Sequence, residues 1–344
     1  MKIAIITDQH FGARKNSKLF HDYFLEFYDN IFFPTLEKEN IHTIIDMGDT
    51  FDSRKGVDFS VLKWAKDNYY DRLKNFDLRT IIGNHTAYYK NTNTLNAVDV
   101  LLREYNNVHV IPEYKEITIG GLDIAVVPWI NQENQESTYK SLERSKCPVV
   151  MGHLELNNFY SNRIHKMENG ASRAPYKKFS KVFSGHYHHR SNEDNIYYLG
   201  NPYEIYWSDL EDTRGFHIFD TETLETKPID NPYRMFYKLY YEDTPHQTFD
   251  VREYCNKIVK LVVRRKTDPD KFEKFVDKLL GSGVADLKVV ENFAFLENED
   301  FDVEQSEDTL SILSRYLDES ETDIDKIAAK NIIKNIYQEA CEVI

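Results

Sequence analysis

Short apolar runs alternate with stretches of helical periodicity along the first half of the chain, and the apolar runs repeatedly stop at clusters of polar residues. Lys2 to Thr7 reads as a strand closing on Asp8-Gln9-His10, and the spacing beyond it predicts a helix from Ser17 to Asn30. Thr43 to Met47 closes on Gly48-Asp49-Thr50-Phe51-Asp52 and precedes a helix from Phe59 to Lys74. Leu78 to Ile82 delivers Gly83-Asn84-His85, with a further helix expected near Thr94 to Glu104. Val108 to Ile111, Ile117 to Ile119 and Ile124 to Val127 read as three neighbouring strands of a mixed sheet, with Gly120-Gly121 turning between the last two. The plan then repeats: Pro148 to Met151 ends at Gly152-His153-Leu154-Glu155, and Lys181 to Ser184 at Gly185-His186-Tyr187-His188. Short strands at Ile196 to Leu199 and Gly215 to Phe219 close the set. Apolar strands alternating with helices are the signature of a layered α/β architecture.

The polar strand ends carry the chemistry. Asp8, His10, Asp49, Asn84, His153, His186 and His188 offer carboxylate, amide and imidazole donors and no thiolate. Such a set suits Mn²⁺ or Fe²⁺ better than a closed tetrahedral zinc site. Seven donors are enough for two ions, and two ions about 3.5–4 Å apart can share a carboxylate and clamp a phosphoester during in-line displacement. Plainer readings stand beside this one. Asp8 and Asp49 suit helix caps, and a Gly-Asn turn before a surface histidine is ordinary turn chemistry. His21, His42, His109, His165, His217 and His246 match no motif and read as packing or surface residues, with His189 exposed. Asp52 and Glu155 adjoin the donors and are expected to orient imidazoles.

Composition narrows the class. With 344 residues, 41% of them hydrophobic, the chain can bury one large domain and smaller additions. Cys147, Cys255 and Cys341 are isolated and odd in number, which fits a reducing compartment and packing roles, with no disulfide framework or zinc knuckle. The first apolar run is interrupted by Asp8 and His10, unlike a signal peptide, and no stretch is long enough to span a bilayer, so a soluble, cytoplasmic protein is expected. The net charge is -14, but -11 of it falls from Glu291 onward and only -3 on the first 290 residues. Acidity is therefore a property of the C-terminal part and does not exclude a nucleic-acid partner for the body.

The ordered set Asp-x-His, Gly-Asp-x-x-Asp, Gly-Asn-His, Gly-His and Gly-His-x-His, between Asp8 and His188, resembles the five motifs of the calcineurin-like metallophosphoesterase superfamily. The resemblance implies an α/β fold built on a β-sandwich flanked by helices. It also implies that Asp8, His10 and His188 hold one metal, that Asn84, His153 and His186 hold the other, and that Asp49 bridges them. The ions would be two Mn²⁺, with Mg²⁺ or Fe²⁺ as alternatives. His85 would protonate the leaving oxygen, with Asp52 in the catalytic set. One departure stands out: the third motif usually continues with an acid, and here it is Thr86.

Within the superfamily the layout resembles the SbcD-type DNA repair and recombination nucleases and their phage counterparts, through Gly48-Asp49-Thr50-Phe51-Asp52 followed by Arg54-Lys55, Val127-Pro128-Trp129, Gly152 to Asn157, Leu199-Gly200-Asn201-Pro202-Tyr203 and Arg214-Gly215-Phe216. That resemblance implies a nuclease domain at 1–230 and a DNA-capping α/β domain at 231–292. The latter reads as a strand from Lys257 to Arg264, a helix opened by Asp268-Pro269 and running to Leu280, and a strand from Asp286 to Val290. Arg264, Arg265 and Lys266 there either face phosphates or form a solvated strand end. An acidic linker at 293–307 and C-terminal helices at 308–344 follow, the helices carrying Leu310, Leu313, Leu317, Ile324, Ile327, Ala328, Ile332 and Ile336 at helical spacing. By resemblance the helices bind the coiled coil of an SbcC or Rad50-type, SMC-like ATPase, and the chain forms a homodimer. The implied activity is that of a Mn²⁺-dependent DNA exonuclease and endonuclease subunit acting on linear duplex and single-stranded DNA. A metallophosphatase acting on small or protein phosphoesters, and a tethering subunit whose catalysis Thr86 has weakened, are the alternatives.

Overall fold

The apolar runs become strands covered on both faces, which is why they lack the alternation of a half-exposed sheet: Ile3 to Ile6 and the whole of Thr43–Asp46 and Val149–His153 are buried. The computed structural model describes residues 1–163, 165–242, 244, 248–266 and 268–291, together with Leu317, Lys326 and Ala329. The chain divides into two units, Met1–Tyr237 and Lys238–Ile344.

In the first unit two six-stranded sheets form a sandwich. One has the spatial order Thr226–Asp230, Gly215–Asp220, Lys2–Ile6, Thr43–Asp46, Asp77–Ile81, Val108–Ile111. Its last four strands are parallel, and Gly215–Asp220 runs antiparallel to both neighbours. The other has the order Ser191–Glu193, Ile196–Tyr198, Lys181–Gly185, Val149–His153, Leu122–Val127, Lys115–Ile119, parallel in the middle and antiparallel at both edges. Ile3, Ile5, Ile45 and Ile81 of the first sheet meet Ile124, Val126, Val149, Met151 and Phe183 of the second in one buried cluster. The outer face of the second sheet packs Ala125, Val127, Val150 and Val182 with Leu142 and Tyr176. Aromatic rings pack between the N-terminal helices and the first sheet: Phe27 and Phe32 both meet Phe216, with ring centroids 6.2 and 4.9 Å apart.

Several local expectations shift. The first helix, Lys18–Phe27, continues through a wide turn at Tyr28–Phe32 into Phe33–Lys38. Pro34 has no N–H to bond one turn back, and the widened turn takes up that loss without ending the rod. The expected helix at Thr94 to Glu104 is instead a hairpin, Ala87–Tyr89 with Thr92–Asn96, followed by a short helix, Ala97–Leu101. Asn96 caps that helix by accepting the Asp99 N–H at 2.8 Å, so the helix starts only after it. Val108–Ile111 lies in the first sheet and Lys115–Ile119 in the second, so the chain changes layers at Pro112 and the three strands do not share one sheet. Helix Gln135–Arg144, hairpin Phe159–Tyr160 with Lys166–Met167, and edge strand Thr226–Asp230 were not expected. Cys147 is buried as a packing residue, but Cys255 is exposed.

The second unit follows its sequence pattern closely. Strand Ile258–Val263 lies between Phe236–Tyr240 and Asp286–Glu291 and is parallel to the latter. Helix Pro269–Gly281 starts where Asp268 Oδ1 accepts the Lys271 N–H at 3.1 Å, and it buries Phe272, Phe275 and Leu279. Arg264, Arg265 and Lys266 are exposed, with the Arg264 guanidinium 4.6 Å from the Tyr240 ring centroid. The linker at 293–307, His246, Cys341 and all but three residues of the C-terminal helices lie outside the described residues. Among the described residues no helix is long and apolar enough to cross a membrane.

Candidate metal centre

Parallel strands in register finish side by side, so the loops at their carboxyl ends form one floor. Lys2–Ile6, Thr43–Asp46 and Asp77–Ile81 from one sheet, with Val149–His153 and Lys181–Gly185 from the other, bring all seven candidate donors to that floor. Asp8, His10 and His188 form one group, and Asp49, His153 and His186 another; within each, ligand atoms lie within 4.8 Å of one another. Asn84 joins the second group, its Oδ1 lying 3.0 Å from His153 Nε2 and 2.9 Å from His186 Nδ1. His10 Nε2 and His188 Nε2 are 3.1 Å apart in the first.

The backbone is held under strain to achieve this. Asp8, His10, Asp49 and His186 all take left-handed conformations, with φ of 52°, 47°, 52° and 84°. Such conformations persist in non-glycine residues where the surroundings fix them, and they cluster at functional sites. Gly48, at φ 106°, is needed for a further reason, because a Cβ there would come within 2.7 Å of His153 Nδ1. A side chain at Gly83 would run into the Asp49 carboxylate.

Hydrogen bonds fix which atoms face inward. His153 Nδ1 lies 2.9 Å from the Met47 carbonyl, which can only accept, so Nδ1 carries the proton. In the neutral ring His153 Nε2 is then bare, and it faces Asp49 Oδ2 at 3.2 Å and Asn84 Oδ1 at 3.0 Å. Three lone-pair-bearing atoms converging on one point call for a cation. The same demand shows in proton affinity: burial disfavours charge on His153, yet the Asp49 carboxylate raises its pKa to about 9. His186 is lowered to about 3 and His188 well below its usual value, in both cases chiefly by burial, so both rings are neutral donors. Burial opposes ionisation of Asp49, but His153 and His85 hold its carboxyl well below the usual range. Asp8 is raised by burial while its carboxylate accepts Thr7 Oγ1 at 2.7 Å and the His186 N–H at 3.0 Å. The donor set therefore fits divalent ions.

His85 stands beside this floor, half-buried, its ring 4.9 Å from that of His10. Its backbone N–H donates to Asp49 Oδ1 at 2.8 Å, and its Nδ1–H to the Asp52 carbonyl at 2.7 Å. The Asp52 carboxylate meanwhile lies 3.1 Å from His10 Nδ1. One residue thus positions two imidazoles, through different groups. Thr86 is turned away from the ring: its Oγ1 accepts the Gly83 N–H and donates to the Gly83 carbonyl, both at 3.1 Å. It closes the loop and leaves the orientation of His85 to Asp52.

No protein-family model matches the chain. Exonuclease subunit 1 of Enterobacteria phage T4 is 29% identical over 352 residues, covering 99% of this chain and 100% of that protein. The likeness spans all five motifs together with the second unit. The chain is similar along its whole length to that exonuclease subunit, and its five motifs resemble those of the calcineurin-like metallophosphoesterases. Among solved structures, an archaeal phosphodiesterase matches at 18% identity and a TM-score of 0.36, covering 67% of this chain and 100% of that one. A protein of unknown function from Aquifex aeolicus matches at 16% identity and a TM-score of 0.26, covering 52% and 93%.

Two supports of this floor lie outside the five motifs. Asp46, fully buried beneath the floor, accepts Gln9 Nε2 at 3.0 Å, the Gly48 N–H at 3.1 Å and Thr50 Oγ1 at 2.6 Å, tying two motif loops together. Burial pushes its carboxyl up to about 7. The signal was available, since an acid ends an otherwise apolar buried strand. Buried Arg214 donates Nη1 to the His188 carbonyl and to Asn201 Oδ1, and Nη2 to Asp212 Oδ2 at 2.8 Å and Asp209 Oδ1 at 3.1 Å. His189, read as exposed, is half-buried and pairs with Asp212 at 2.8 Å, which turns it from the donor groups. Glu155 Oε2 lies 4.0 Å from His186 Nε2, at the limit of an ion pair.

Proposed function

We propose that this chain is the nuclease subunit of a double-strand-break repair and recombination complex, hydrolysing phosphodiester bonds of linear duplex and single-stranded DNA. The observation that carries the proposal is the joining of two adjacent donor groups, with Asp49 and Asn84 between imidazoles, to a separately oriented histidine. Asp8, His10 and His188 would hold one ion, Asn84, His153 and His186 the other, with Asp49 shared, and Mn²⁺ suits the mixed oxygen and imidazole donors. Bound divalent ions supply Lewis-acid polarisation of the phosphoester and a nucleophile at neutral pH.

The chain's own residues do the rest. His85, its Nδ1–H fixed on the Asp52 carbonyl, directs Nε2 at the site and delivers a proton to the leaving oxygen, which is a poor leaving group as an alkoxide. The Asp52 carboxylate holds His10 in the orientation that turns Nε2 toward His188. The full-length likeness to a phage exonuclease subunit supports DNA as the substrate and a larger assembly as the setting. In that assembly, residues 231–292 cap the DNA, with Arg264, Arg265 and Lys266 available to phosphates. The segment 308–344, beyond an acidic linker at 293–307, binds the coiled coil of an SbcC or Rad50-type ATPase. The complex contains two copies of this chain and works in the cytoplasm, that of the host for a phage product.

The test is degradation of end-labelled linear duplex DNA in Mn²⁺ by the native protein and by His85→Ala, with and without the ATPase and ATP, alongside metal analysis. Cutting that disappears in the variant while metal content is unchanged is the expected result. Turnover of a model phosphodiester with no cutting of DNA under any condition would overturn the nuclease reading in favour of a metallophosphatase.

A further inference from the structure

The ring of Tyr206 stands beside the donor groups, parallel to the His188 imidazole within 16° and with centroids 6.2 Å apart. It is 39% exposed, whereas Tyr203 and Ile205 just before it are fully buried, so burial of apolar surface does not account for its position. Its support is nonetheless rigid. The Ile205 and Tyr206 N–H groups both donate to Asp209 Oδ2, at 2.7 and 2.9 Å. Asp209 Oδ1 accepts from Arg214, which also holds the His188 carbonyl. Ring and metal-side histidine thus stand on one buried guanidinium.

The next histidine has a similar neighbour. The His189 ring meets that of Tyr160, with centroids 6.4 Å apart; Tyr160 is 40% exposed and has Lys166 Nζ 5.7 Å from its ring centroid. Arg163 of the same hairpin donates to the Leu210 carbonyl at 3.2 Å, fastening the hairpin to the segment that carries Tyr206. Exposed aromatic faces, one of them with a lysine ammonium near it, beside a phosphoester site, fit a ligand that alternates phosphates with flat bases. Stacking of this kind is tolerant of sequence, because every base has a π-face.

We propose that Tyr206 stacks on the base of a nucleotide adjoining the scissile phosphate and so gives the site its preference for nucleic-acid phosphodiesters over base-free ones. The proposal rests on the phosphodiesterase reading above. It is tested on the full chain with two end-labelled octanucleotides carrying the same phosphates, oligo(dT) and its abasic counterpart. Tyr206→Leu is expected to raise KM for oligo(dT) about tenfold, in keeping with the strength of base–aromatic stacking, while KM for the abasic octamer moves less than about twofold. Tyr206→Phe, which keeps the face and loses the hydroxyl, is expected to track the native protein on both substrates. A readout independent of turnover is the quenching of 2-aminopurine in an octamer bound in EDTA, expected to be lost in Tyr206→Leu and kept in Tyr206→Phe. Equal effects of Tyr206→Leu on both octamers, or none on either, would overturn the proposal and leave the nuclease reading intact. Native protein that cuts neither octamer overturns that reading and the proposal with it.

Discussion

At the scale of single residues, Asp52 and Thr86 separate two functions that a motif comparison would merge. The Asp52 carboxylate serves His10 and its carbonyl serves His85, so Asp52→Asn leaves the second contact in place and weakens the first. Its expected effect is a loss of about 10- to 100-fold in metal affinity, read by calorimetric titration with Mn²⁺, with most of kcat kept at saturating metal. The hydroxyl of Thr86, a fully buried residue, bonds to the Gly83 backbone N–H and carbonyl. Thr86→Val should therefore destabilise the fold by about 1–3 kcal/mol in denaturant unfolding, because the Gly83 N–H loses its buried partner. Thr86→Asp should bring no gain in kcat, since that position faces the loop and not the His85 ring; a gain would show that an acid is missing there. The seven candidate donors could be picked out in the sequence because each motif is local, and the structure brings them together. Asp52's division of labour was not, because its backbone carbonyl has no residue type to announce it.

At the scale of elements, each strand end must turn sharply with no bulk in the way. Gly48→Ala brings a Cβ against His153 at a φ of 106°, so it should abolish metal binding at the Asn84 side while circular dichroism still reports a folded protein. In the second unit Asp268 caps Pro269–Gly281 by accepting the Lys271 N–H, and Asp268→Ala should destabilise that unit by about 1 kcal/mol with the metal content unchanged. The strong cap explains why this helix was legible to within a residue at both ends. The N-terminal rod and the stretch from Ala87 to Leu101 were not, because Pro34 and Asn96 act through a widened turn and a hairpin that periodicity does not register.

At the scale of the whole molecule, stability should depend on acid through His217, a ring in the sandwich whose pKa is lowered to about 3 by burial and then by Arg190. Its unfolded value is about 6.5. The neutral ring's contribution is therefore fully present above about pH 6.5 and is lost as pH falls from there toward 3, because the unfolded chain takes up the proton first. Thermal unfolding followed between pH 7 and 4 should show a midpoint that falls more steeply in the native chain than in His217→Gln. Metal should act on the same equilibrium in the opposite sense. With Mn²⁺ at 100 times its Kd, one bound ion stabilises by about 2.7 kcal/mol, so EDTA should lower the unfolding midpoint, and by less in Asp52→Asn at equal metal.

The sequence by itself determined the strands that end in the motifs, the candidate donor residues and the capped helix of the second unit, since apolar periodicity, motif spacing and a helix-start signal are properties of neighbouring residues. Only the tertiary structure decided that Val108–Ile111 and Lys115–Ile119 belong to opposite sheets, that Asp46 and Arg214 carry the motif loops from beneath, and that His153 turns a bare nitrogen toward Asp49 and Asn84. Those outcomes depend on which distant carbonyl, carboxylate or sheet face a residue meets once two layers close on each other, and no local pattern encodes that encounter.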